Sequence, residues 1–269
     1  ENDLSDKRDD GVINGCIFTD NHEHDLTFST RSLTITATVV RDTAPDPQGF
    51  FGRGINVQAS ATTATPATAA ISHCLIDGNR DAGLFVSGSD VTVEGTVVRR
   101  TTPDITSSYG RGITTRPFPE TGRRSALWLT TSVIAENTDV GVFVGGSDAT
   151  IDRTAVLDTL ALPDGTVGDG ITLISRLDSF AAVQLIDSQV ARTARAGLSN
   201  FGSTLTLQRV HVDCCPIALN GEQDYPYLAT LVSLPFTFQD WEGNVCGCGP
   251  DQAACQVLSS GLAPPLPPL

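Results

Sequence analysis

The stretch that decides the fold is Ile71 to Ile113, ISHCLIDGNRDAGLFVSGSDVTVEGTVVRRTTPDITSSYGRGI. It contains one short and most of one long turn of a repeating coil. Gly54, Gly112 and Gly170 follow one another at intervals of 58 residues (112−54, 170−112). Gly83 and Gly141 are also 58 apart, and Gly197 follows after 56. GLFVSGSDVTV (83–93) returns as GVFVGGSDATI (141–151), and FGRGI (51–55) returns as YGRGI (109–113) and VGDGI (167–171). A fixed period of this kind marks a stacked-repeat architecture.

Each 58-residue unit is two coils. An apolar column runs Ile13, Ile35, Ile71, Val93, Leu129, Ile151, Leu185, Leu207, in steps of 22, 36, 22, 36, 22, 34 and 22 residues. A second runs Phe18, Val40, Ile76, Val98, Ile134, Val156, Val190, Val212, and a third Leu26, Ile55, Leu84, Ile113, Val142, Ile171, Leu198. Within a coil the apolar pattern has period two, so the elements are strands rather than helices. Equivalent side chains then stack about 4.8 Å apart. Asn21, Thr43, Asn79, Thr101, Asn137, Thr159 and Thr193 form a polar column suited to pairing backbone groups along the pile. The glycine column is expected to supply positive φ at a turn before the second strand. A coil of 22 residues holds three short strands and tight turns, and the Leu-rich consensus of leucine-rich repeats is missing.

The pattern I71-x-x-C74-x-I76-x-x-N79-x-x-x-G83-L84 resembles the right-handed parallel β-helix repeat of pectate-lyase-like proteins. The likeness covers residues 11–219 and about eight coils, alternately short and long. It implies an all-β solenoid. Family members include polysaccharide lyases, glycoside hydrolases, epimerases and adhesins, so the fold leaves function open. The lyases combine calcium-holding carboxylates with Lys or Arg, and the hydrolases cluster Asp in a cleft. The loop acids here, Asp42, Asp46, Asp104, Asp164 and Asp169, look scattered, and no D-D or H-G motif of the polygalacturonase kind is present. No catalytic residue is assigned.

The expected organisation is a β-helix over residues 1–219, its N-terminal edge truncated, a C-terminal cap over 220–258, and a disordered Pro-rich tail over 259–269. Asp251 is expected to cap one short helix. The absence of Met and of an apolar leader segment reads as an excised piece of a longer chain. Hydrophobic content of 40% argues against wholesale disorder. A formal charge of −14 argues against a general nucleic-acid partner, and no apolar run is long enough for a membrane span. Oligomeric state and parent protein are not legible.

Long-coil insertions (43–53, 102–111, 159–169 on one side; 58–68, 116–124, 175–179 on the other) recur on every second coil. They are expected to wall a groove floored by Thr27, Asn56, Phe85, Thr114, Phe143, Thr172 and Ser199, the alternative being that the loops pack flat and close it. Residues 99–124 hold six Arg against Asp104 and Glu120, inside an acidic chain. Arg53 and Arg111 are repeat equivalents, each two residues after an aromatic, Phe51 or Tyr109. With Phe85, Phe143, Arg116 and Asp169 they make the candidate ligand-binding set. Guanidinium pairs carboxylate bidentately and aromatic faces stack on sugars. The competing reading is Arg paired with nearby Asp.

Of seven cysteines, Cys16 and Cys74 lie two coils apart, too far for a bridge. Cys214, Cys215, Cys246, Cys248 and Cys255 suggest two disulfides with one cysteine over, consistent with an extracellular or cell-surface protein. A zinc site with His211 is the rival. Asp77, Asn79 and Asp81 resemble half a calcium loop, but Ala82 stands where glycine is needed. No cofactor is therefore assigned. His22-Glu23-His24-Asp25 reads as a solvated turn, with metal binding its rival. Thr34, Thr92, Thr150 and Thr206 recur outward but are interrupted by Ala70, Trp128 and Gln184, which argues against a flat ice-binding array. The leading reading is an exported scaffold binding polysaccharide along the groove. Its rivals are a lyase or hydrolase on an acidic glycan, and a structural spacer or adhesin stalk.

Overall fold

The structure, a computed structural model, describes residues 10–22, 24–29, 32–228 and 230–268. Period-two patterning acts first at the level of the single strand. In Ser32–Thr36, Leu33 and Ile35 point into the core while Ser32 and Thr34 face water. Repeating that choice on every coil gives three nine-stranded parallel sheets, each coil supplying one strand to each sheet. The first sheet runs from Gly11–Asn14 to Thr237–Asp240, and the second, of three-residue strands, from Ile17–Thr19 to Val245–Gly247. The third runs from His24–Ser29 to Val257–Leu258, and its strands between are six residues long. The fold is a right-handed parallel β-helix.

The strand registers reproduce the sequence columns. Ile13 pairs Ile35, Ile35 pairs Ile71, and Val93 sits between Ile71 and Leu129. The three inward columns form one buried cluster along the solenoid. Each Ile, Leu or Val removed from water contributes about 1.5–3 kcal/mol, which offsets the chain entropy of strands that have few local contacts. At the corners the polar columns pair the backbone. Asn79 Oδ1 accepts the Thr43 N–H at 3.1 Å, and Asn79 Nδ2 donates to the Val40 carbonyl at 3.3 Å. Asn137 repeats this with Thr101 and Val98 at 3.0 and 3.2 Å. A hydroxyl ladder runs down the other corner: Thr96 N–H donates to Ser132 Oγ, Ser132 N–H to Thr154 Oγ1, and Thr154 N–H to Ser188 Oγ.

The glycine column has a different cause from the one expected. None of Gly54, Gly83, Gly112, Gly141, Gly170 and Gly197 has positive φ. A Cβ on Gly112 would instead lie 2.6 Å from the Gly141 carbonyl oxygen and 2.7 Å from Ile134 Cγ2. The constraint is close approach between coils, which no side chain satisfies.

Strand order does not stop at Leu219. Ile217–Glu222, Thr237–Asp240, Val245–Gly247 and Val257–Leu258 extend the three sheets, so the coils number nine rather than about eight. An antiparallel hairpin, Asp224–Tyr227 with Thr230–Ser233, stands between the eighth coil and the last and hides the period in the sequence. Cys214 bridges Cys248 and Cys246 bridges Cys255, while Cys16, Cys74 and Cys215 are free. The expected short helix is a 3-10 turn, Gly249–Asp251, entered from Cys248, and Asp251 ends it rather than capping it. Among the described residues no helix is long and apolar enough to cross a membrane.

Candidate functional site

The third sheet differs from the other two in being buried on both faces. Ala82–Ser87, Asp169–Ile174 and Ala196–Phe201 are covered along their whole length. The expected floor column is in register across the sheet, as Asn56 beside Phe85, Phe85 beside Thr114, and Thr114 beside Phe143. Yet from Asn56 to Ser199 the floor residues are at most 2% exposed. The open floor of the sequence reading is a covered one.

Part of the cover is guanidinium. The Arg53 Cζ lies 3.6 Å from the Phe85 ring centroid, and the Arg111 Cζ lies 4.0 Å from Phe143 and 5.1 Å from Tyr109. Arg116 reaches Phe85 from the other end of its strand at 5.1 Å, and Phe51 lies 4.9 Å from Arg53. The ring faces meant for sugar stacking are therefore taken by planar cations. Each edge cation also meets a carboxylate. Arg53 Nε donates to Asp81, Arg111 Nε to Asp139, and Arg195 donates to both oxygens of Asp169 at 2.8 and 2.6 Å. The edge thus reads Arg53, Asp81, Arg111, Asp139, Asp169, Arg195, one per coil. Asp81, Asp139 and Arg195 were not in the candidate set. A signal for them existed, since each stands two residues before a column glycine (Gly83, Gly141, Gly197).

Burial pushes the Asp139 carboxyl above its ordinary range, opposed by the Arg111 guanidinium and assisted by the neighbouring Asp169 charge. Burial, and then the Arg53 charge, pulls Arg116 below the usual guanidinium value. Among the described residues Arg116 has no carboxylate partner; it donates to Ser87 Oγ at 3.4 Å. The loop acids do not converge. Asp46, Asp104 and Asp164 occupy equivalent loops and accept turn N–H groups, from Gln48, Thr106 and Thr166 respectively, each at 2.9 Å. Asp77 holds Arg99 and Arg100, and Asn79 belongs to the corner ladder, so the calcium-like triplet is committed elsewhere. No three His, Cys, Asp or Glu among the described residues gather as a metal site. Of the His22–Asp25 cluster, Glu23 and the side chains of His24 and Asp25 lie outside the described residues.

The rest of the cover is the C-terminal segment, expected as a disordered tail. After Val257–Leu258 the chain turns and runs back along the sheet. Asn220 Oδ1 accepts the Ser260 N–H at 3.1 Å, and Glu222 accepts from the Ser259 hydroxyl, Ser260 N–H and Leu262 N–H at 2.7, 2.9 and 3.1 Å. Arg195 donates to the Ala263 carbonyl at 2.9 Å, Arg111 to that of Leu266, Tyr109 to that of Pro267 at 3.1 Å, and Arg116 to that of Pro268 at 3.1 Å. Ser260 meets the strand Ile217–Glu222 and Leu266 the strand Arg111–Arg116, four strand spacings away. Four spacings of about 4.8 Å are about 19 Å, and six residues of polyproline-II chain at about 3.1 Å each are about 19 Å. The proline-rich composition matches the distance to be covered. Between the segment and the loops 106–109 and 162–167 lies an open pocket of about 800 Å³ that Asp139, Arg195, Pro264 and Leu266 also line.

The fold and this lengthwise groove define the class: a parallel β-helix with one covered sheet. The family model for a right handed beta helix region matches residues 6–98. Among solved structures, the enzymatically active domain of tailspike protein 2 of bacteriophage CBA120 is similar, at TM-score 0.50 and 16% identity. The match covers 86% of this chain and 39% of that one. Full-length tailspike protein 2 from Escherichia coli O157:H7 bacteriophage CAB120 is similar at TM-score 0.49 and 17% identity, over 86% of this chain and 35% of that one. The chain therefore spans less than two fifths of either tailspike chain, and the likeness is one of fold. No curated protein sequence matches it.

Proposed function

We propose that this chain binds an extended polysaccharide lengthwise along the outer face of the third sheet, as an exported scaffold. The observation that carries the reading is that this face already holds a linear chain, residues 260–268, across successive coils. The grip on residues 263–268 consists of donors, Arg195, Arg111, Tyr109 and Arg116, aimed at oxygen acceptors. Sugar hydroxyls, ring oxygens and carboxylates are acceptors of the same kind. The two disulfides fit an oxidising compartment.

Affinity electrophoresis in gels cast with polygalacturonate or a neutral glucan tests the reading. Retardation is expected, and Arg116→Ala should weaken it about tenfold, the effect of about 1.4 kcal/mol. An unchanged variant removes Arg116 from the site. Absence of retardation in every polysaccharide, with and without residues 259–269, refutes the function.

One observation favours a second reading, glycoside hydrolysis. Asp139 and Asp169 stand on adjacent coils at the groove edge, and a carboxyl held up by burial is what a general acid requires. The similar tailspike domain is described as enzymatically active. Release of reducing sugar that Asp139→Asn abolishes would move the chain to that class, and no release retires it.

A further inference from the structure

The groove holds two kinds of group that its present occupant treats differently. The first kind is satisfied by strap carbonyls, as described for Arg195, Arg111, Tyr109 and Arg116. The second is left over. Asn56 Oδ1, Arg111 Nη1, Asp139 Oδ1, Ser199 Oγ and Asn220 Nδ2 are buried with no hydrogen-bond partner among the described residues. Their residues are at most 2% exposed. Asn56, Ser199 and Asn220 belong to the floor column, while Arg111 and Asp139 stand at its edge. Three of these residues are acceptors or can accept, and two present donors. A buried polar atom left unpaired costs about 1–3 kcal/mol. Four residues of the occupant, Pro264, Pro265, Pro267 and Pro268, carry no N–H to offer the acceptors, and Asn56 lies two strands beyond Arg111–Arg116, where Pro268 docks. A hydroxyl-bearing chain can serve donors and acceptors alike, since every hydroxyl both donates and accepts.

We infer that residues 259–268 are an intramolecular strap that holds the groove closed, and that a polyhydroxylated polymer displaces it. This rests on the polysaccharide reading above and adds its regulation. The strap is suited to displacement. Its prolines are set in an extended form before they dock, so docking orders little chain. Leu266 remains 56% exposed while Pro265 beside it is buried, so the strap lies against the sheet with one side open to water. The residues that anchor it are separate from those lying in the groove. Glu222 and Asn220 hold Ser259, Ser260 and Leu262, while the groove donors hold 263–268. Release of residues 263–268 frees the donors of Arg111, Arg116 and Arg195 and widens the pocket beside Asp139 in one motion. A ligand for a site that is closed most of the time binds with affinity reduced by the open fraction.

Three proteins test the strap: the intact chain, the chain lacking residues 259–269, and intact Glu222→Gln, which loses the charged acceptor of that anchor. A fluorescent peptide of sequence SSGLAPPLPPL should bind the shortened chain and fail to bind the intact one. Neutral glucan and polygalacturonate, titrated calorimetrically, should bind the shortened chain about tenfold or more tightly than the intact chain, with Glu222→Gln between them. Circular dichroism establishes that the shortened chain is folded, and if it is not, Glu222→Gln against the intact chain decides the same point. Failure of the peptide to bind the shortened chain overturns the strap. Equal polysaccharide affinity in all three also overturns the strap but leaves the groove reading standing. No polysaccharide binding in chains that do bind the peptide overturns the groove reading, and with it the displacement.

Discussion

Replacing Arg111 with Leu removes the cation from a pair in which both side chains are nearly inaccessible, 1% and 2% exposed. Asp139 is left with a second unpaired oxygen in addition to Oδ1. Breaking a buried pair by deleting one partner costs about 3–5 kcal/mol at neutral pH. The sign of its pH dependence follows from burial. Asp139 has its folded value raised, so its contribution is fully present below the unfolded carboxyl value and is lost as pH rises through the folded one. Without Arg111 the opposing cation is gone, the folded value climbs further, and the loss extends over more of the pH range. At pH 4, where the Asp139 charge weighs least, what is missed is chiefly the Leu266 carbonyl bond and the contacts with Phe143 and Tyr109. That is about 1–2 kcal/mol. Urea unfolding of both proteins at pH 4, 5, 6 and 7 measures the difference, and effects common to the two cancel. The deficit should grow from about 1–2 to about 3–5 kcal/mol, and Asp139→Leu added to Arg111→Leu should recover most of it at pH 7. An equal deficit at pH 4 and pH 7 refutes the buried ion pair.

Other outcomes follow from the stack and the bridges. Gly112→Ala drives a methyl into the Gly141 carbonyl and should destabilise by about 2 kcal/mol or more, seen as a Tm several degrees lower; a neutral substitution would disprove close approach. Asn137→Ala strands the Thr101 N–H and the Val98 carbonyl and should cost about 2–5 kcal/mol in urea unfolding, whereas less than about 1 kcal/mol would mean the ladder is dispensable. Reduction of Cys214–Cys248 and Cys246–Cys255 should raise hydrogen exchange across 211–258 and leave the coils around Ile71–Ile113 protected; uniform loss of protection would contradict a local role.

The columns were legible because stacking compares a residue with its equivalent one coil away, and sequence records that comparison as a period. Ile71, Val93 and Leu129 are neighbours for that reason alone. Glycine was placed correctly but for the wrong cause, since a period cannot separate a need for positive φ from a need for space. The site was less legible. Arg53, Arg111, Phe85 and Phe143 do come together, but as stacked cations on rings rather than as an open aromatic floor. Deciding that required knowing that Asp81 and Asp139 sit one coil along, at a column offset by one residue from the arginines. Residues 259–268 escaped because their partners, from Tyr109 to Glu222, lie at long sequence distance and have no period to announce them.

One turn of polyproline helix advances about 9.3 Å, and two coils of this solenoid about 9.6 Å. The strap and the 58-residue repeat beneath it are thus nearly commensurate. The covered sheet is a graduated scale with one division for every pair of coils, marked by Arg53 and again by Arg111. On the polysaccharide reading proposed above, a linear polymer whose own chemical repeat matched a division would meet both marks in phase, and one of another length would not. Selection would then operate through spacing, and Asp169, where a third arginine would stand, would set how far the scale is read.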